Sequence, residues 1–292
     1  MLIGILLGLL SAFIWATTSL AIKAQAEQTN PISFNAFRMF VATIFTFALL
    51  PFFGGLPSLV QTPWDAMLIL ATSSVIGIAI GDSLYFWSMT KIGAARALPI
   101  SGTYPLFTWA LAVPLLNEPI TLADMMGTVL VVAGVYLLSP GNETHTVADA
   151  RTARLGVVAA IAAAALWALA TTMLKIGVQQ SPQVIVVNAI RLPVATLASA
   201  LVAQAYGGAR VWAGYTRQNL PRLIALSMYS TGLGMIVWTL TVEYAGAARA
   251  ALLNTAAPLI GVPLSVLFLR ERVTRRMMTG TLLAVLGVWL IL

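Results

Sequence analysis

Apolar runs of roughly 18 to 25 residues, the length that crosses a hydrocarbon core about 30 Å thick, follow one another from Gly4 to Leu292 with short polar breaks between them. The pattern predicts membrane-spanning helices at residues 3–23, 33–54, 65–88, 93–116, 120–139, 154–177, 183–206, 221–243, 246–269 and 273–292. The first run has no basic stretch before it and another span follows at once, so it reads as a retained helix rather than a signal peptide. The longest break, SPGNETHTVADAR, comes after the fifth run near the middle of the chain. It divides the sequence into residues 1–140, a connecting loop at 141–153, and residues 154–292.

The halves repeat. NAFRMFVAT at 35–43 returns as NAIRLPVAT at 188–196, and GAARA at 93–97 returns at 246–250. Pro105 with Pro258, Glu118 with Glu271, Thr121 with Thr274, Gly127 with Gly280 and Gly134 with Gly287 hold the same interval of 153. Trp15 and Lys23 meet Trp167 and Lys175 at an interval of 152. The expected fold is therefore an all-α integral membrane protein of ten transmembrane helices, a duplicated five-helix unit. Five is odd, so the second copy enters from the opposite side and the repeats are inverted about an axis in the membrane plane.

The charges fit that inversion. Of the 16 Lys and Arg, six are repeat-matched: Lys23, Arg38 and Arg96 with Lys175, Arg191 and Arg249. The others, Lys91, Arg151, Arg154, Arg210, Arg217, Arg222, Arg270, Arg272, Arg275 and Arg276, all fall in loops after odd-numbered spans. By the positive-inside rule these loops are cytoplasmic and both termini lie outside the cytoplasm.

Composition removes several classes. Hydrophobic residues are 60% of 292 positions and charged residues 9%, which no soluble domain could carry without large exposed apolar patches. A net charge of +7 would suggest nucleic acid in a soluble protein, but here the basic residues sit in loops and serve orientation, so the bilayer is the partner and nucleic acid is not. With no cysteine, disulfides, thiolate chemistry and cysteine metal sites are excluded. The single histidine, His145, reads as a solvated residue of the connecting loop.

The stretch GDSLYFWSMTKIGAARALPISGTYPLFTWALAVPLLNEPITLADMMGTVLVVAGVYLL at 81–138 resembles the EamA type of the drug/metabolite transporter superfamily nearly end to end, with its Pro, its acidic residue after the apolar run and its Gly pair. The second copy, from GLGMIVWTLT onward, fits most closely from Pro258. The starts of the halves, with a Trp in the first helix, a Lys near its end and an Arg early in the next, are similar too. The resemblance implies two inverted five-helix repeats around a central cavity, alternating access, and a range of metabolite substrates that includes amino acids. Other members keep their termini in the cytoplasm, so the charge-derived orientation is a departure.

Charged groups inside a membrane persist mainly where they face a cavity or a partner. Lys23 and Arg38 are expected at the cytoplasmic mouth, Lys175 and Arg191 at the external mouth. Each pair is placed to receive a carboxylate or phosphate, or else to snorkel and cap helix carbonyls. Asp82 is the acid expected well inside a span, where its repeat equivalent is Met235. It reads as a proton-coupling carboxylate, a counter-charge for a substrate ammonium, or a structural partner of Lys91 or Arg96. Trp15, Tyr85, Tyr104, Trp167 and Trp238 are candidate cavity aromatics, and Asn254, with Ser101, Thr103 and Thr255, either hydrogen-bonds substrate or satisfies carbonyls freed by Pro105 and Pro258. Trp64, Trp87 and Trp289 read as interfacial anchors. Glu118 and Glu271 are expected to satisfy free amides where the last helix of each half begins.

An intramembrane enzyme would need a metal cluster or a nucleophile with its base, and neither is visible. A nucleotide-driven pump would need a G-x-x-x-x-G-K-[ST] loop, which is absent. The sequence therefore predicts a secondary carrier of small metabolites in the plasma (bacterial inner) membrane, without a cofactor, proton-coupled if Asp82 titrates, and monomeric or homodimeric. Export of amino acids or related compounds is the favoured reading and exchange of phosphorylated metabolites its alternative.

Overall fold

The computed structural model describes every residue except 1, 26–28, 54, 139–149, 182, 256, 258, 259, 261–274 and 292. The described residues form α1 (Leu2–Gln25), α2 (Pro31–Leu49), α3 (Gly55–Gln61), α4 (Trp64–Ile92), α5 (Ala94–Ser101), α6 (Tyr104–Leu116), α7 (Leu122–Leu138), α8 (Ala150–Gln180), α9 (Val184–Gly207), α10 (Leu220–Ala245), α11 (Ala247–Thr255) and α12 (Arg275–Ile291). Among them, Pro31–Phe53, Trp64–Ile92, Arg151–Gln180, Val184–Trp212 and Leu220–Ala245 are long and apolar enough to cross a membrane. Leu2–Thr18, Tyr104–Leu116, Leu122–Leu137 and Met278–Leu290 are shorter apolar helices. Phe52, Val60, Leu122, Leu201 and Trp289 stand exposed while Ser73, Thr108, Thr128, Asn188 and Thr239 are fully buried, the distribution expected when the outer solvent is lipid.

Local chemistry explains the helix ends. Asn30 accepts the Ile32 amide at 2.9 Å and Pro31 supplies the first turn of α2, an N-cap followed by the residue whose missing N–H costs nothing there. α4 and α10 each contain a widened turn, Val75–Gly81 and Met228–Leu233, in which hydrogen bonds reach five residues back, as from Asp82 N–H to the Gly77 carbonyl. Both rods end at a glycine with positive φ, Gly93 at 78° and Gly246 at 86°. These irregularities recur at the interval of the sequence repeat.

Several expected boundaries change. The span expected at 93–116 is two helices, α5 and α6, separated at Gly102–Thr103, because Pro105 has no amide to donate back and its ring crowds the Ser101 carbonyl. The expected break at 55–64 contains the short helix α3, and α8 begins at Ala150, inside the expected connecting loop. The later part of the span expected at 246–269, and His145, Pro258, Glu271 and Thr274, lie outside the described residues.

Each helix of the first half packs on the second: α1 on α10 and α11, α2 on α9, α4 and α6 on α8, and α7 on α12. Repeat equivalents touch at α2 and α9, where Thr43 Oγ1 and Thr196 Oγ1 lie 3.0 Å apart. In the α7/α12 pair a Cβ on Gly134 would fall 2.6 Å from the Gly280 carbonyl oxygen, and one on Gly287 would fall 2.6 Å from that of Gly127. The crossing is reciprocal and antiparallel, and both glycines are required by backbone approach. Gly134→Val is therefore expected to lower the melting temperature of the detergent-purified protein, through overpacking worth about 1–3 kcal/mol. Gly208→Ala, with nothing within 4 Å but a φ of +58°, should cost less.

Candidate functional site

Arg38 and Asn35 sit one turn apart on α2, so their side chains meet on one face. Arg38 Nε and Nη2 both donate to Asn35 Oδ1, at 2.9 and 2.7 Å, and Nη2 also reaches Asp82 Oδ2 at 3.2 Å. Asn35 Nδ2 in turn donates to the Ile78 carbonyl, inside the widened turn of α4, at 3.3 Å. That widened turn places Asp82 opposite Arg38, so the irregular helix and the ion pair are one construction. The second carboxylate oxygen of Asp82 accepts Trp167 Nε1 from α8 at 2.9 Å. A Cβ on Gly81 would lie 3.0 Å from the Trp167 ring, so the indole rests directly on the α4 backbone.

Aromatic rings continue the array. The Trp167 ring lies 5.2 Å from Tyr85 and 6.0 Å, edge-on, from Tyr104, while the Arg38 guanidinium sits 5.8 Å over Trp15. Tyr104 donates to the Ala251 carbonyl at 2.8 Å, and its oxygen is 3.5 Å from Asn254 Nδ2. Asn254 Oδ1 accepts from Ser11 at 3.3 Å. Seven of the candidates, Trp15, Arg38, Asp82, Tyr85, Tyr104, Trp167 and Asn254, thus belong to one connected array built from both halves.

The remaining candidates lie apart. Trp238 packs between two apolar clusters, one with Met39, Ile78 and Met235, the other with Leu70, Leu174 and Val242. Arg191 is buried in α9 and bonds Ser73 Oγ at 3.2 Å. Lys175 Nζ donates to the Glu243 carbonyl at 2.7 Å, and the Lys23 side chain is outside the described residues.

The structure departs from three of the expectations. Asp82 pairs with Arg38, not with Lys91 or Arg96: Lys91 lies over Trp87 at 5.4 Å and Arg96 is exposed, both beyond the Asp82 turn toward the helix end. Arg38 and Arg191 are buried, not at the mouths, because each points across the bundle to α4. Glu118 does not cap its own half: the start of α7 is capped by Asp124 and Thr121, which bond reciprocally at 2.9 and 3.1 Å. Glu118 instead accepts the amides of Ala247 and Ala248, at 2.7 and 3.1 Å, at the first turn of α11 in the other half. A side chain at Gly246 would collide with that carboxylate, 2.7 Å away. Arg249 to Asp124, at 3.4 Å, adds an ion pair across the same junction.

Thr103 and Thr255 return their hydroxyls to the carbonyls of Ile100 and Ala251, which is helix-end chemistry. Asn35, Ser11 and Ser73 were missed, although Asn35 and Asn188 stand inside the repeated NAxR motif and could have been found there.

Apolar spans surrounding a polar, ion-paired interior define a multi-pass membrane protein with its chemistry gathered inside the bundle. The chain belongs to the EamA-like transporter family, which matches residues 2–139 and again 154–292, and its general activity is transport. It is 24% identical over 297 residues to an uncharacterized transporter of Archaeoglobus fulgidus, spanning 100% of this chain and 98% of the relative. It is 22% identical over 293 residues to the uncharacterized transporter YoaV of Bacillus subtilis, at 99% and 97%. A crystal structure superposes with a TM-score of 0.80 at 20% identity, covering 99% of this chain and 96% of the other, a likeness of fold.

Proposed function

We propose that the protein is a secondary carrier that moves amino acids or related metabolites out of the cell by alternating access, with the substrate held against the Arg38–Asp82 pair and the aromatic rings around it. The observation that carries this is the ion pair. Two charges taken into an apolar bundle cost several kcal/mol per ion before their attraction is counted, and such groups mark transport pathways more often than structural ones. Asp82 keeps 18% of its side chain accessible and Arg38 6%, so the carboxylate can still meet a proton or a substrate ammonium. Trp15, Tyr85, Tyr104 and Trp167 supply the amphipathic surface that a small metabolite needs.

The architecture in this reading is ten spans in two inverted five-helix repeats, residues 1–140 and 154–292 joined by 141–153, around a central cavity. The antiparallel α7/α12 crossing and the Thr43–Thr196 contact between equivalent residues support it. Glu118 on the α11 amides ties the halves at one face, and that tie must part for the face to open. Phosphate exchange is less favoured, because Arg38 is engaged by Asp82 and Lys175 by a carbonyl, which leaves no double clamp among the described side chains.

In this reading the protein sits in the plasma membrane with both termini outside. Because the chain has no cysteine, single cysteines report the orientation directly. A cysteine replacing Gln218, between α9 and α10, should react with a membrane-impermeant maleimide only from the cytoplasmic side, and one replacing Asn117 only from outside. The reverse pattern would place the termini in the cytoplasm and overturn the orientation without touching the carrier assignment.

A further inference from the structure

The two halves treat the same arginine differently. Arg38 and Arg191 are repeat equivalents, each three residues after an asparagine and each buried, at 5% and 4% exposure. In the first half the guanidinium is compensated three times, twice by Asn35 Oδ1 and once by Asp82. In the second half the position of Asp82 is Met235, an apolar residue packed with Met39, Ala42, Ile78, Leu192 and Ala195. Asn188 has turned away as well, donating to the Val184 carbonyl and accepting from Thr239. Among the described residues, what remains for Arg191 is one bond from Nε to Ser73 Oγ, and its Nη1 is buried without a partner there. Among the described residues no carboxylate forms an ion pair with it.

An arginine cannot shed this charge by deprotonation, and a guanidinium held in an apolar bundle with one neutral acceptor is strongly disfavoured unless an anion joins it. The described interior charges do not balance: Arg38 and Asp82 cancel, and Arg191 leaves one positive charge over. A zwitterion, with no net charge, would leave that imbalance standing. A compound with one net negative charge would remove it. A phosphate monoester dianion would overshoot, and it would lack the second free cation that phosphate sites ordinarily provide.

We propose that Arg191 is the receptor for a carboxylate of the transported compound, and that the carrier selects substrates with a net charge of minus one, such as acidic amino acids or other carboxylic acid anions. This rests on the carrier reading above, narrows its substrate class, and makes Arg191 a second station on the path, more than two turns of α4 from the Arg38–Asp82 pair. With Nε already held by Ser73, the guanidinium keeps Nη1 as a buried donor that a carboxylate arriving during the transport cycle would satisfy and neutralise, so the site discriminates a carboxylate from its amide.

The test compares glutamate with glutamine, and both with putrescine and glucose 6-phosphate, for thermal stabilisation of the detergent-purified wild-type protein and for uptake into proteoliposomes. Glutamate should bind at least about tenfold more tightly than glutamine, since glutamine, although it has an α-carboxylate, carries no net charge and leaves the interior one positive charge over. Met235→Asp places at the repeat position the carboxylate that the first half has; it should pair with Arg191, keep or raise the melting temperature of the unliganded protein, and abolish stabilisation by glutamate. Arg191→Met should abolish it too, and decides the matter if Met235→Asp does not fold. Equal binding of glutamate and glutamine by the wild type, or undiminished glutamate binding by Met235→Asp or Arg191→Met, overturns the proposal. Saturable uptake of glutamine or putrescine without glutamate would overturn it while the carrier reading stands; no saturable uptake of any probe, with no stabilisation, would count against both.

Discussion

Asp82→Asn is expected to reduce transport by about tenfold or more, the equivalent of at least ~1.4 kcal/mol at the binding step, and to destabilise the fold at the same time. The neutral amide removes the counter-charge of Arg38, which is then left with neutral acceptors alone, Asn35 Oδ1 and one amide oxygen, in an apolar bundle. Breaking a buried pair by removing one partner costs about 3–5 kcal/mol, because the other charge is left behind. Loss of transport from instability is separated from loss of a working group by the double variant Arg38→Met with Asp82→Leu. Replacing both charges by apolar groups should recover most of the melting temperature, since such replacements are neutral or stabilising in many proteins, yet leave transport absent. If Asp82 carries a proton during the cycle, flux through Asp82→Asn should also lose its response to an imposed pH gradient. Near-normal uptake by the double variant would show that the pair is structural.

Glu118→Ala should act on the conformational cycle rather than on binding. Its carboxylate satisfies two amides at the start of α11, so the substitution removes a cap worth about 0.5–2 kcal/mol together with a tie between halves. A loss near 1.4 kcal/mol shifts a two-state equilibrium about tenfold, toward the form in which this face is open. A single cysteine replacing Ala248, fully buried with its amide on the Glu118 carboxylate, should then react faster with maleimide than in the protein with Glu118 intact, while substrate affinity changes little. Glu118→Gln, which retains one acceptor, should fall between. Unchanged reactivity in Glu118→Ala would mean that this face does not open.

Much of the fold was legible because lipid imposes it. The run lengths mark the spans and the interval of 153 gives the pairing of halves, since both follow from hydrophobic length and duplication. The break between α5 and α6 was visible in Pro105, but a membrane-length apolar run concealed it. The widened turns of α4 and α10 left no trace in composition; that of α4 lies where the Trp167 ring rests on Gly81 and Asn35 donates to the Ile78 carbonyl, contacts that only tertiary packing sets. Sequence named Arg38, Asp82 and Trp167 separately and could not join them, because the register between α2, α4 and α8 is fixed only by tertiary packing. Glu118 shows the same limit: its position before a helix points to its own half's last helix, but the amides it accepts belong to α11 in the other half.

The central claim, that this chain is a carrier, is tested most directly by counterflow in proteoliposomes loaded with unlabelled amino acid and diluted into trace labelled amino acid, acidic ones included. The account predicts transient accumulation of label above its outside concentration, saturable in the loading amino acid and absent in Asp82→Asn. Flux that rises linearly with concentration and is indifferent to the loaded side, or no flux with any amino acid, would contradict it.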